Sequence, residues 1–136
     1  MGKKFKARFQ VRGYELDGYG HVNHAVYLNY FEYARWCMIE EAGCGADYFK
    51  SKGMAPVIAR AEVDYRAACI LAEWLVCETE IIELRTRVAV FNQKLYRENG
   101  MKLACEGRMT MVVIDANGKA VSLPPDFGSF YGVERK

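Results

Sequence analysis

The chain has 136 residues, of which 51% are hydrophobic and 26% are charged, and this size and composition fit one globular domain with one core. Nineteen Lys and Arg residues against seventeen Asp and Glu residues give a net charge of +2, which argues against attraction to nucleic acid or a membrane through bulk charge. The apolar runs are shorter than the roughly 20 residues of a transmembrane helix, and the start lacks a signal peptide, so we expect a cytoplasmic domain spanning 1–136 with no membrane span.

The first predicted element is a β-strand. Phe5, Ala7, Phe9 and Val11 alternate with polar residues, which is the period-two pattern of a strand with one buried and one solvated face.

A long helix is predicted over about 25–42. Its polar residues collect on one side, and the rest is almost entirely apolar or aromatic. The polar side comprises Asn29, Glu32, Arg35 and Glu40, and the apolar face includes Val26, Leu28, Tyr30, Phe31, Ala34 and Ile39. Such a helix needs to be covered on most sides.

The C-terminal half predicts an antiparallel meander. Asn99-Gly100 and Asn117-Gly118 are dipeptides suited to tight hairpins. The flanking strands are expected at about 57–65, 74–84, 88–97, 103–115 and 119–123. A flat sheet would leave part of the helix wet, so we expect an α+β fold in which a curved antiparallel sheet wraps around one long central helix.

The segment between the first strand and the helix is the candidate site. It contains Asp17 and both histidines of the chain, His21 and His24, together with Gly18 and Gly20. The free N–H groups at the start of a helix favour negative charge, so this loop could hold an anion or an oxyanion.

The same residues also fit other interpretations. Asp17-Gly18 is a common turn signal, Asn23 is a good N-cap, and loop histidines are often simply solvated or hydrogen-bonded. Asp17, His21 and His24 could also ligate a metal, but no helical HExxH motif supports that alternative. We expect no metal site.

Several other chemistries lack their motifs. The chain has no GxSxG elbow, no GxxxxGK[ST] and no GxGxxG, which argues against serine hydrolases, nucleotide hydrolysis and hydride transfer. Its five cysteines are scattered without a CxxC pair, which indicates buried thiols rather than disulfides or a zinc site.

A longer pattern in this region resembles the signature of the 4-hydroxybenzoyl-CoA thioesterase-like hotdog family. It reads Asp17-x-x-Gly20-His21-Val22-Asn23-His24-x-x-Tyr27-Leu28-x-x-x-Glu32-x-x-Arg35. The similarity extends over the whole chain, through Tyr65-Arg66-Ala67-Ala68 to Leu123-Pro124. It implies a hotdog fold and an acyl-CoA thioesterase that releases a free acid and CoA thiol without a cofactor.

The resemblance also implies catalytic roles. Asp17 matches the acidic position that attacks the thioester carbonyl or activates water. His24 stands at the start of the helix, where its backbone N–H would face the substrate carbonyl oxygen. His21 matches a His of plant acyl-carrier-protein thioesterases, but Tyr19 replaces their Asn, and Ala72 stands near where many relatives place an Asp.

The remaining expectations concern substrate and partners. The candidates for an apolar pocket that binds the acyl group are Val26, Tyr27 and Phe91, which could equally be ordinary core residues. Asn23 is a further candidate substrate-binding residue. Arg85 and Arg87, with Lys94 and Arg97, are expected around one hairpin, where they could meet CoA phosphates or remain solvated. The resemblance implies a homodimer or homotetramer with the site between subunits.

Two rival functions remain open. One is a hotdog hydratase or dehydratase acting on an enoyl-thioester, and the other is a binding module that holds an acyl-thioester without turnover. The sequence does not settle the acyl group, or the choice between CoA and acyl-carrier protein. No nucleic-acid partner is expected.

Overall fold

A computed structural model describes residues 2–135 and contains one antiparallel sheet curved around one long helix. The elements are β1 (Phe5–Gln10), α1 (Val26–Ala42), α2 (Ala46–Lys50), β2 (Ala55–Tyr65), β3 (Trp74–Leu84), β4 (Ala89–Arg97), β5 (Lys102–Ile114) and β6 (Ala120–Val121). The predicted α+β fold is confirmed. No helix within 2–135 is both long and apolar enough to cross a bilayer.

The strand order is β1-β3-β4-β5-β2, and the two-residue β6 pairs with the end of β5. Both predicted hairpin turns are confirmed, since Gly100 and Gly118 each have a φ of 79°, a value that glycine adopts without strain. β1 and β2 form the two edges of the sheet. Helix α2 was not predicted, because five residues are too few to show helical periodicity.

The sheet covers one side of α1. This buried side comprises Tyr27, Tyr30, Phe31, Ala34 and Met38. A buried glutamine holds the middle of the helix against the sheet: Gln93 donates from Nε2 to the Phe31 carbonyl at 2.9 Å and to Thr79 Oγ1 at 3.0 Å.

The opposite side of α1 differs from the prediction. Leu28 was expected on the buried apolar face, but 42% of its surface is exposed, and Trp36 is 48% exposed. The prediction is wrong for Leu28 because the sheet does not extend far enough round the helix to cover its side chain. α1 therefore keeps an exposed stripe with apolar members.

Edge strand β2 is uncovered over almost its full length. All of its residues are exposed except Val63, which is half-buried, and a register shift between Ile58 and Arg60 marks a bulge. Helix α1 therefore does not close over this edge, and a seam remains between α1 and β2.

All five cysteines are free thiols, as predicted, and four of them are buried. Burial raises the pKa of Cys77 and of Cys105 to about 12, which keeps both protonated at neutral pH.

Candidate active site

The Asp17 loop is closed by its own backbone. The Asp17 N–H donates to the His21 carbonyl at 2.7 Å, and the Gly20 N–H donates to the Asp17 carbonyl at 3.3 Å. Gly20 has a φ of 82°, so a glycine suits this position in the turn. A bridge between Leu16 and Val22 joins the two ends of the loop.

The Asp17 carboxylate is half-buried and holds the loop with one oxygen. Oδ1 accepts the N–H of Tyr19 at 2.8 Å and that of His21 at 3.1 Å. These two bonds lower the pKa of Asp17 below its usual value, against the smaller opposing effect of desolvation. Within residues 2–135 no donor bonds to Oδ2, so one oxygen of an ionised carboxylate stays available.

The β5–β6 turn contains a structural twin of this loop. Asp115 Oδ1 accepts the N–H of Asn117 at 2.8 Å and that of Lys119 at 3.0 Å, and the Asp115 N–H donates to the Lys119 carbonyl at 2.9 Å. The hydrogen-bond pattern around Asp17 is therefore a turn device. The Asp17 loop differs from the Asp115 loop in its position, because it leads into the start of α1.

A buried carboxylate attaches the loop to the helix. Glu15, only 8% exposed, accepts the Arg12 N–H and the Tyr30 hydroxyl on Oε1, each at 2.8 Å. The Glu15 carbonyl accepts the Asn23 N–H at 2.9 Å. Burial and the bond to Glu15 raise the pKa of Tyr30, so its hydroxyl remains a donor.

The start of α1 leaves the His24 amide without an acceptor among residues 2–135. The Ala25 N–H donates to Asn23 Oδ1 and the Val26 N–H to the Asn23 carbonyl, each at 2.9 Å. The His24 N–H has no acceptor in the described part of the chain. The His24 carbonyl accepts the hydroxyl of Tyr65 at 2.8 Å, so an edge-strand side chain holds the next peptide unit, between His24 and Ala25.

The structure brings together only part of the predicted site. Asp17, His21, Asn23 and His24 share the loop that leads into α1, and the side chains of both histidines are exposed. Tyr27, a candidate for the acyl slot, is 4% exposed and packs with the core, its ring centroid 5.3 Å from that of Tyr65. The alternative reading of Tyr27 as ordinary core describes its environment, whereas Val26 is half-buried at the helix start.

Phe91 lies apart from this loop, in a cavity of about 470 Å³ between α1, α2 and β2. Arg35 contributes to its wall and donates from Nη1 to Gln93 Oε1 at 2.9 Å. The lining comprises Glu32, Arg35, Trp36, Met38, Ile39, Gly45, Ala46, Phe49, Pro56, Val57, Ile58, Phe91, Met111, Phe127 and Tyr131.

The four basic residues expected around one hairpin do not gather there. Arg97 is opposite Leu75, at the end of the sheet next to the Asp17 loop, and its Nε donates to Glu73 at 2.5 Å. Arg85 and Arg87 lie in the β3–β4 turn at the other end, about 33 Å along the strands. The prediction of one basic cluster is therefore wrong, since β4 separates its members.

Tyr65 and Glu15 are the site residues that sequence reasoning missed. Both stood within segments noted above, Glu15 just before the Asp17 loop and Tyr65 in Tyr65-Arg66-Ala67-Ala68. A tertiary hydrogen bond across 41 positions leaves no periodic signal, so the role of Tyr65 becomes visible only in the fold. Within residues 2–135 no three His, Cys, Asp or Glu side chains form a group that could hold a metal ion.

Comparisons with known proteins agree on the family. A family model described as the thioesterase-like superfamily matches residues 11–130. The acyl-CoA thioesterase YbgC of Haemophilus influenzae is 32% identical over 82% of this chain and 90% of its own. The long-chain acyl-CoA thioesterase FadM of Escherichia coli is 28% identical over 81% of this chain and 83% of its own.

A solved structure extends this similarity to three dimensions. The probable thioesterase YbaW of Escherichia coli superimposes with a TM-score of 0.82 at 26% identity, covering 93% of this chain and 95% of its own. The hotdog architecture expected from the sequence is thereby confirmed.

Proposed function

The chain belongs to the thioesterase-like superfamily, and we propose that it hydrolyses acyl-CoA thioesters to a carboxylate and free CoA thiol. The relatives named as acyl-CoA thioesterases align over about four fifths of the chain. The observation that carries the proposal is the pairing of two groups on one segment: the ionised Asp17 carboxylate with a free oxygen, and the unpaired His24 N–H at the start of α1.

The proposed reaction needs few groups. Asp17 attacks the thioester carbonyl carbon or removes a proton from the water that does so, and the C–S bond then breaks. The sulfur leaves as thiolate with little help, since a thiol has a pKa near about 8.5, and it takes up a proton from solvent. Water supplies the second oxygen of the product carboxylate.

The His24 amide is the proposed oxyanion donor. As the carbonyl carbon becomes tetrahedral, negative charge develops on its oxygen, and a fixed N–H at a helix start stabilises that charge. One such donor contributes about 3 kcal/mol to the transition state. The exposed imidazoles of His21 and His24 are not required for this step.

Tyr65 is proposed to position this donor. Tyr65→Phe removes the hydroxyl that holds the His24 carbonyl and keeps the ring that packs on Tyr27. We expect kcat to fall about 10-fold while KM and the melting temperature change little, because one exposed hydrogen bond stabilises the fold by only about 1 kcal/mol.

The matched control is Tyr96→Phe, which removes a hydroxyl from β4 and should leave kcat unchanged. Steady-state thiol release across a range of acyl-CoA concentrations separates the two constants. An unchanged kcat in Tyr65→Phe would remove Tyr65 from the proposed machinery.

We further propose that the active enzyme is a homodimer or larger homo-oligomer built on the free edge of β2. β1 buries alternate residues, whereas ten of the eleven β2 residues are exposed, among them Val57 and Ile58 as well as the charged Arg60, Glu62 and Asp64, so a second copy has most to cover at β2. A second copy would also cover the Asp17 loop, which does not line the cavity of about 470 Å³ in the single chain. Arg85 and Arg87 could then reach CoA phosphates only at the site of another copy.

Ala61→Lys tests this edge. The wild type is expected to sediment with at least twice the chain mass of 15.5 kDa, and a lysine on β2 should shift it toward the monomer and lower kcat/KM in parallel. The control Ala120→Lys places the same side chain at an exposed position on β6, and it should change neither the sedimentation mass nor kcat/KM. A fully active wild-type monomer would refute the proposed assembly.

A thiol-release assay against short, long, branched and aromatic acyl-CoAs tests the function itself. Release of CoA thiol together with free acid is expected from at least one class. An enoyl-CoA that is hydrated without free thiol would instead favour a hydratase, and binding without any turnover would favour a binding module.

A further inference from the structure

The cavity of about 470 Å³ has no role in the steps proposed above. Its volume lies within the usual range for small-molecule sites. Its walls combine the exposed stripe of α1, the start of α2, the first residues of β2 and the inner face of the sheet. Most of the lining is apolar, and Glu32 and Arg35 are its charged members.

Edge strand β2 runs from this cavity to the His24 peptide. At one end Tyr65 of β2 bonds to the His24 carbonyl, and at the other end Val57 and Ile58 of the same strand line the cavity. β2 is exposed along the interval, so α1 does not close the gap. The β2 residues that line the cavity are Pro56, Val57 and Ile58, and the bulge in this strand follows directly after them.

The helix side of the seam has a matching stripe. Leu28, Glu32, Arg35 and Ile39 follow at spacings of four, three and four residues, which places them along one face of α1. Leu28 is the exposed residue nearest the catalytic end, and Arg35 is held to the sheet by Gln93. A ligand lying along this stripe passes from the helix start into the apolar part of the cavity.

The distance along α1 from His24 to the cavity determines how long an acyl chain must be to enter the cavity. At a rise of about 1.5 Å per residue, Glu32 lies about 12 Å and Ile39 about 22 Å along the helix from His24. An extended alkyl chain advances about 1.3 Å per carbon, given C–C bonds of about 1.5 Å. The cavity therefore begins about nine carbons from the thioester and ends near the seventeenth. A short-chain or aromatic acyl group bound at His24 falls short of it.

We propose that this cavity binds the distal half of a straight aliphatic acyl chain of about 14 to 16 carbons, with its thioester at the His24 amide. The proposal rests on the proposed thioesterase function and adds its substrate class to it. Trp36, Ile39 and Phe49 then contact the chain end, and buried methylene groups supply binding free energy that shorter substrates lack.

Ala46→Phe tests the assignment, because Ala46 is an exposed cavity residue whose enlargement fills space without touching the Asp17 loop. The wild type should show kcat/KM rising from butanoyl-CoA to hexadecanoyl-CoA. In Ala46→Phe the ratio of kcat/KM for these two substrates should fall by about 10-fold, equivalent to losing one or two buried methylenes. Lys50→Phe, on the same helix but outside the cavity, should keep the wild-type ratio.

A binding experiment separates this proposal from the reaction. A non-hydrolysable hexadecyl thioether of CoA with a photoreactive diazirine at the chain end should label peptides containing residues 35–39, 46–49 or 56–58. Labelling elsewhere, or an unchanged chain-length ratio in Ala46→Phe, would overturn the assignment even if thiol is released. Absence of thiol release at every chain length, with labelling at these peptides, would leave the cavity assignment standing and reject the hydrolase.

Discussion

Asp17→Asn is expected to lower kcat for thiol release by about 1000-fold while leaving the fold intact. The loss follows because an amide neither attacks a thioester nor accepts a proton from water at neutral pH. The fold survives because the Asn oxygen can still accept the N–H groups of Tyr19 and His21, as the carboxylate Oδ1 does. Stopped assays over long times measure the residual kcat, and circular dichroism of the same sample shows whether the fold is intact.

Asp115→Asn is the matched control. Asp115 makes the same pair of turn bonds but lies in the β5–β6 turn, so its replacement should leave kcat within about twofold. Near-wild-type turnover in Asp17→Asn would reject the catalytic assignment. An equal loss in both variants would mean that turn geometry alone was disturbed.

The lowered pKa of Asp17 adds a pH dependence to the same prediction. Since Tyr19 and His21 stabilise the ionised form, the acid limb of the kcat/KM profile should lie below the ordinary Asp value of about 3.9. The carboxylate stabilises the folded state at pH above its unfolded value, and this contribution disappears as pH falls through the lowered folded value.

Glu15→Ala is expected to reduce the free energy of unfolding by about 3 kcal/mol and to lower kcat as well. The change leaves the buried Tyr30 hydroxyl and the Arg12 N–H without their acceptor. It also loosens the segment whose carbonyl holds the Asn23 N–H, and therefore the peptide that leads to His24. Urea unfolding gives the stability loss, and thiol release gives the catalytic one.

Two further variants test the cause. Glu15→Gln keeps an acceptor and should be destabilised by only about 1 kcal/mol. Tyr30→Phe in the Glu15→Ala background should recover part of the loss, because it removes the unsatisfied hydroxyl. If Glu15→Ala unfolded at the wild-type urea concentration, the carboxylate would not anchor the loop.

The architecture was accessible from the sequence because its signals are local. Alternation from Phe5 to Val11 and the Asn-Gly turns at 99–100 and 117–118 identify strands without tertiary information. The extent of helix burial was not accessible, since Leu28 and Trp36 are apolar residues that the sheet does not reach. Hydrophobicity predicts which residues can be buried, whereas the curvature of the sheet decides which of them are.

The site was predictable only in part for the same reason. Asp17, His21, Asn23 and His24 lie close in sequence, so a motif could identify them, although their catalytic roles remain proposals. Tyr65 meets His24 across 41 positions, and Arg85 and Arg97 occupy opposite ends of the sheet. Both relations depend on how strands are placed around α1, and composition or spacing carries no information about them.

The proposed cleavage can be observed in a single turnover. Excess wild-type enzyme is mixed with hexadecanoyl-CoA carrying a labelled carbonyl carbon, and every labelled product is identified together with free thiol. We expect hexadecanoate and CoA thiol in equal amounts, with no labelled thioester remaining. Quantitative recovery of intact hexadecanoyl-CoA, and of shorter acyl-CoAs treated alike, from folded protein would contradict hydrolysis at the Asp17 loop.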